Sequence, residues 1–179
     1  MAFTVEDGTI VADANAWITV AYFEEYWADR GTDLTGTDLA LKQAAIVRAT
    51  AYLSDSVPWA GVKKQGRSHA SGEQPTAFPR QGIEDKEGHY VPDTSIPPEV
   101  MKACAELANY ELNNVNGLKP TYIPHDRVKM EQVGPLKVEY DISRNDASGA
   151  RPVLLSVVDL IGQFLRSGNS RLAGSSARG

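Results

Sequence analysis

Between Thr76 and Gly117 the chain passes from a turn-rich stretch into one sharply delimited helix, and this transition limits the folds open to it. Pro79, Gly82, Gly88 and Pro92 interrupt any helix in the first half of the stretch. The second half carries the start signals of a helix. Thr94 or Ser95 is placed to cap it, Pro97 and Pro98 occupy a first turn where a missing N–H costs nothing, and Glu99 stands near the positive end of the dipole. Gly117, able to adopt the left-handed conformation, is the expected stop. In between, Val100, Cys104, Leu107 and Glu111, flanked by Ala103 and Tyr110, recur at three- and four-residue spacing and predict a core-facing stripe. Cys104, the single cysteine, lies on that stripe and reads as a small core residue.

A chain of 179 residues with 42% hydrophobic and 23% charged residues can close a core without metal or disulfide staples. No apolar run approaches the length of a membrane span, and the acidic N-terminus lacks the basic start of a secretory signal, so a cytoplasmic, membrane-free protein is expected. The net charge of −5 conceals a gradient: residues 1–60 hold nine acids against three bases, whereas residues 120–179 hold eight bases against six acids. An overall acidic balance argues against holding nucleic acid by a global field, while the asymmetry suits head-to-tail contact between copies.

Residues 1–12, rich in β-branched side chains with a turn at Asp7-Gly8, predict an extended arm free to pair with a neighbour. Residues 13–142 form the predicted helical core. Asp13 or Asn15 caps a first helix ending at Gly31, with Ala16, Val20, Phe23 and Trp27 inward and Trp17, Tyr22 and Tyr26 widening that face. Aromatics at this spacing read as core rather than as a base-stacking platform. Thr37 or Asp38 caps a second helix to about Ser54, with Ala40, Ala44, Val47 and Ala51 inward alongside Leu41, Ile46 and Leu53. A long Pro/Gly-rich loop follows, pinned at its ends by Trp59 and Phe78, with Lys63, Lys64 and Arg67 near an exposed tip as candidate DNA or partner contacts.

Beyond the central helix the apolar period falls to two, and strands on either side of Gly134-Pro135 predict a β-hairpin. Residues 143–151 read as a linker, and Pro152 opens a last helix whose apolar residues nearly close its circumference. Leu154, Val158, Ile161 and Leu165 form one face, and Leu155, Val157, Leu160 and Phe164 a second one available to another subunit. The tail beyond it, with Arg171, Leu172 and Arg178, is too polar to fold alone. The fold class is therefore mainly α, a compact bundle of about four helices with a long loop and a β-hairpin.

Chemistry-bearing motifs are few. The sequence contains no phosphate loop, dinucleotide fingerprint, nucleophile elbow or Cys/His cluster with metal spacing. His69, His89 and His125 stand apart in loop-like stretches, and Glu84, Asp85 and Glu87 read as a solvated turn. Neither catalysis nor a cofactor or metal is expected, and an interaction protein leads by elimination.

The order of elements resembles a tailed-phage family, the head-tail connector or adaptor proteins, whose related sequences are labelled DnaT-like single-stranded-DNA-binding. The resemblance rests on an aromatic helix ending Asp29-Arg30-Gly31, an alanine-rich helix ending Ala51-Tyr52-Leu53, Trp59-Ala60-Gly61, Gln74 before Phe78-Pro79-Arg80, Ile96-Pro97 opening a helix, and the strand Val133-Gly134-Pro135-Leu136-Lys137-Val138-Glu139-Tyr140. It implies a structural virion protein of the neck, assembled in the host cytoplasm as a ring, commonly a dodecamer, under the portal. Such a ring extends the channel for genomic DNA and receives a tail-side neck or tail-completion protein. It further implies a C-terminal segment that docks on the portal, here Leu154, Leu155, Val158, Ile161, Phe164, Leu165, Arg166, Arg171, Leu172 and Arg178. The rival expectation is a replication-type single-strand binder using Trp17, Tyr22 or Trp59 with Lys63, Lys64 and Arg67.

Overall fold

A computed structural model describes residues 2–65, 74–119 and 154–166, together with the backbone of two hairpin strands at 130–133 and 136–139. The linker, the C-terminal tail and the tip of the long loop, including Arg67, Arg171, Leu172 and Arg178, lie outside the described residues, as do His69 and His125.

Among the described residues four α-helices carry the fold: α1 (Val20–Ala28), α2 (Leu39–Ser56), α3 (Pro98–Asn113) and α4 (Leu155–Ile161), the last continued by a 3-10 turn at Gly162–Phe164. Two antiparallel pairs join them, β1 (Val62–Lys63) with β2 (Arg80–Gln81), and β3 (Met130–Val133) with β4 (Leu136–Glu139). The β3–β4 register places Val133 opposite Leu136 across the expected Gly-Pro turn. Among the described residues no helix is long and apolar enough to cross a membrane. The mainly α architecture is the one expected.

The most extensive packing is between α2 and α3, and α4 lies on α3. The predicted stripe of α3 is the core: Val100, Ala103, Cys104, Leu107 and Glu111 are all buried. At the α2–α3 contact Thr50 Oγ1 lies 3.4 Å from Cys104 Sγ and accepts the Trp17 amide at 3.2 Å. Desolvation in this setting pushes the Cys104 thiol up to about 12, as befits a core residue.

Five local expectations need correction. The first helix begins at Val20 behind a Thr19 cap, because Asn15 is already engaged: its Oδ1 accepts the Thr4 amide, and Ala16 pairs with Val5. The N-terminal arm is consequently folded onto its own chain. Its turn is held by the buried carboxylate of Glu6, which accepts the amides of Gly8, Ile10 and Val11 at 2.8–3.0 Å. These bonds offset the cost of a left-handed Ile10 (φ 67°), a conformation rare for a β-branched residue.

Asp38 caps α2 as expected and Ile46 and Leu53 face inward as predicted, but the rest of the buried face is rotated from the predicted one. Ala45, Ile46, Ala49, Thr50, Tyr52 and Leu53 are buried while Ala40, Leu41 and Ala51 are exposed. The rotation is favoured by two polar residues that a hydrophobic count places outside, Lys42 paired with Glu24 and Thr50 bonded as above. On α3 neither Thr94 nor Ser95 supplies a cap; Pro97 occupies that position without a side-chain bond. At the other end Asn116 (φ 61°), not Gly117, takes the left-handed conformation. Gly117 is needed for a different reason, since a Cβ there would lie 2.8 Å from both Asn114 O and the Tyr110 ring.

Candidate functional site

Two regions gather the residues that the sequence singles out, and both are built on the segments flanking the long loop. Trp59 and Phe78 do pin its ends. Their rings meet edge to face with centroids 5.0 Å apart, and Trp17 completes the cluster at 5.5 Å from Phe78 and 6.2 Å from Trp59. All three rings are buried. Trp59 Nε1 donates to Leu53 O at 2.8 Å, fixing the indole against the end of α2.

A buried polar staple surrounds this cluster. The Gln74 amide donates to Thr76 O and Pro79 O and accepts the Gln65 amide, while Thr76 Oγ1 donates to Phe78 O. Arg80 donates from Nε, Nη1 and Nη2 to the carbonyls of Ala60 (2.8 Å), Ala77 (3.2 Å) and Gly61 (2.9 Å). Desolvation first, and the nearby charge of Arg166 second, hold the guanidinium below its ordinary value. Gly61 is obligatory where this strap crosses β2, because a Cβ would come within 2.1 Å of Gln81 O. The motifs Trp59-Ala60-Gly61 and Gln74 through Arg80 thus build one corner of the scaffold.

That corner positions the two described candidate lysines, though not at an exposed tip. Lys63 lies in β1 opposite Arg80, half-buried, and its Nζ donates to Gln74 O at 3.0 Å. Lys64 is half-buried too, with Nζ 3.8 Å from Asp93. Pairing of β1 with β2 draws both lysines against the scaffold. The aromatics proposed to stack with them are equally occupied: Trp17 and Trp59 are core, and only Tyr22 keeps partial exposure.

The C-terminal docking set is split by its own helix. Val157, Ile161 and Phe164 are buried within this chain, so Ile161 and Phe164 are not free for a partner. Leu154, Val158 and Leu165 are half-buried, and Leu155 (73% exposed) and Arg166 face outward. The departure from the predicted long helix begins at Gly162, where the chain tightens to a 3-10 turn and Leu165 pairs with Trp59. Ala60 N donates to Phe164 O and Arg166 N to Pro58 O, so the last described residues are strapped to the start of the loop.

Between α4 and the segment from Asp85 to Glu99 runs a groove of about 960 Å³. One wall is a tight hairpin closed by the Glu84–Tyr90 bridge, in which Asp85 accepts the amides of Glu87 and His89 at 2.9 Å. The His89 amide is the main cause holding the Asp85 carboxyl below its ordinary value. The acidic turn read from the sequence therefore serves its own backbone. Asp85, Glu87 and His89 bring one potential ligand atom each within 4.8 Å of one another, all on this exposed turn. Tyr90, 74% exposed, stands at the groove's rim, and Lys86 N donates to Gln163 Oε1 across to the opposite wall.

Sequence reasoning placed Glu111 on the buried stripe of α3 but missed Glu6, Gln74 and Arg80 as buried structural anchors. The usable signal was local, polar residues set near Gly or Pro in turns; the side chains of Glu6 and Gln74 bond within ten residues, and only Arg80's bonds to Ala60 and Gly61 span the loop.

A family model described as "Putative DnaT-like ssDNA binding protein" matches residues 1–179. No curated protein and no solved structure matches the chain.

Proposed function

The chain belongs to that DnaT-like family, and from this premise we propose that it is a non-catalytic assembly protein, a head-tail connector of a tailed phage that acts through protein surfaces. The observation that carries this reading is the placement of its aromatic residues. Of the aromatics a single strand would stack on, Trp17 and Trp59 form the interior and Tyr22 alone keeps partial exposure, while Leu39, Leu41, Tyr90 and Leu155 are turned outward. The order of motifs quoted above supports the same reading. Partners are then further copies of the chain in a ring, the portal protein, and a tail-side neck protein, with genomic DNA passing through the lumen.

A second reading, single-stranded-DNA binding, has the more direct support from the family description. Its structural support is the outward-facing Arg166 near the corner that the half-buried Lys63 and the buried Arg80 make positive, where a phosphate could be met without stacking. The two readings part in one pair of measurements. Electron microscopy of the purified protein mixed with portal rings should show added density on the portal's outer end. Fluorescence anisotropy with a single-stranded oligonucleotide at about 0.15 M salt should show weak binding. Submicromolar binding that falls steeply with salt, together with bare portals, would replace the first reading by the second.

A further inference from the structure

The groove between α4 and the Asp85–Glu99 segment has a charge its own walls do not balance. Asp85, Glu87, Glu99 and Asp159 line it against Lys86 and His89, and Leu160, Val91 and prolines supply the apolar part of its surface. Phe164 also lines it, and the described chain ends two residues later at Arg166. The segment that follows, residues 167–179, contains Arg171, Leu172 and Arg178 and no acidic residue. We propose that this segment docks in cis in the groove, its two arginines against the carboxylates and Leu172 against the apolar lining.

Reach and tethering favour the intramolecular occupant. At roughly 3.3–3.6 Å per residue a segment of this length spans at most about 45 Å, ample to turn back from Arg166. A short tether sets an effective concentration in the millimolar range, so contacts too weak to hold a free peptide suffice. Two arginines facing four carboxylates are electrostatically complementary, and the contact is sensitive to salt because the groove is open to water. The proposal is independent of whether the protein joins capsids or binds single strands, since either partner would meet the tail first in its docked form.

The test uses the full chain. Backbone amide spectra of the protein and of R171E/R178E should differ at Asp85, Lys86, Glu87 and Leu160 and be superimposable in α2. Raising salt from about 0.05 to 0.5 M should move the parent's groove signals toward the variant's positions. A nitroxide on S176C, selective because Cys104 is buried, should broaden the same groove amides, and R171E/R178E should abolish that broadening. Adding E87K/D159K to R171E/R178E should restore it. Unshifted groove amides in R171E/R178E, or no broadening from the label, would overturn the proposal. Broadening that disappears on tenfold dilution would overturn the cis assignment by placing the tail on a second copy.

Discussion

Glu111 is a severe place to remove a charge. Its carboxylate is buried at 1% exposure and accepts from Arg48 Nε at 2.8 Å and from the amides of Asn116 and Leu118 at 2.9 Å. Glu111→Ala strands all three donors. The Leu118 amide is buried, so leaving it unpaired costs about 1–3 kcal/mol, and the Asn116 amide somewhat less. The Arg48 side chain is a third exposed, so water recovers part of its charge and its share is about 1 kcal/mol. The total expected is about 3–5 kcal/mol, a large part of a stability of about 5–15. Glu111→Gln should cost roughly half, because its best orientation keeps an oxygen toward Asn116 and Arg48 but turns an NH2 against Leu118 N–H. Urea unfolding followed by circular dichroism measures this directly. With a slope of about 2 kcal/mol/M the alanine variant should lose about 1.5–2.5 M in midpoint. A midpoint within about 0.3 M of the parent, or a glutamine variant as damaged as alanine, would refute the account of how α3 is terminated.

Three further outcomes follow from the same packing. Leu107→Asp puts an unpaired charge among residues buried between α2 and α3 and should abolish cooperative unfolding, seen as loss of the thermal transition. Cys104 should ignore a thiol reagent at pH 8 until the chain is unfolded. Because its folded value, about 12, lies above its ordinary 9.0, the unfolded state alone releases the proton, so its contribution to stability is full below pH 9 and lost as pH rises toward 12; Cys104→Ala should flatten that part of the pH profile. Changing Lys63 and Lys64 to Ala should leave oligonucleotide anisotropy unchanged at about 0.15 M salt under the connector reading, and lower affinity with a reduced salt slope under the single-strand reading.

The parts of the fold legible in the sequence are those encoded within a few residues. Asp38 before an alanine-rich run, two prolines before an apolar stripe, and Gly-Pro between alternating segments each specify their element locally, and α2, α3 and the hairpin stand where expected. The failures share a physical cause. Asn15 looks like a cap until Thr4 claims its side chain, and α2 looks amphipathic about the wrong axis until Thr50 and Lys42 find partners on other elements. Lys63 looks solvated until Gln74 O accepts from it. Each is a polar bond to a residue eleven or more positions away that overrides a local preference, and no periodicity records it. For the candidate site, the basic residues were legible as a group but their confinement was not.

The strap that joins the last described residues to the beginning of the long loop bears on how the chain is made. Ala60 pairs with Phe164 and Pro58 with Arg166 across more than a hundred intervening residues. Contacts of such separation form late, after the loop-closure cost of the whole intervening chain has been met. During synthesis, α1 to α3 emerge with one side of Trp59 and the α3 surface that α4 covers still open to water, a sticky nascent intermediate. Val157, Ile161 and Phe164, at about 1.5–3 kcal/mol of burial each, arrive only at the end and close it. A ribosome stalled before residue 154 should therefore display a chain that engages chaperones, and one stalled well beyond residue 166 should release them.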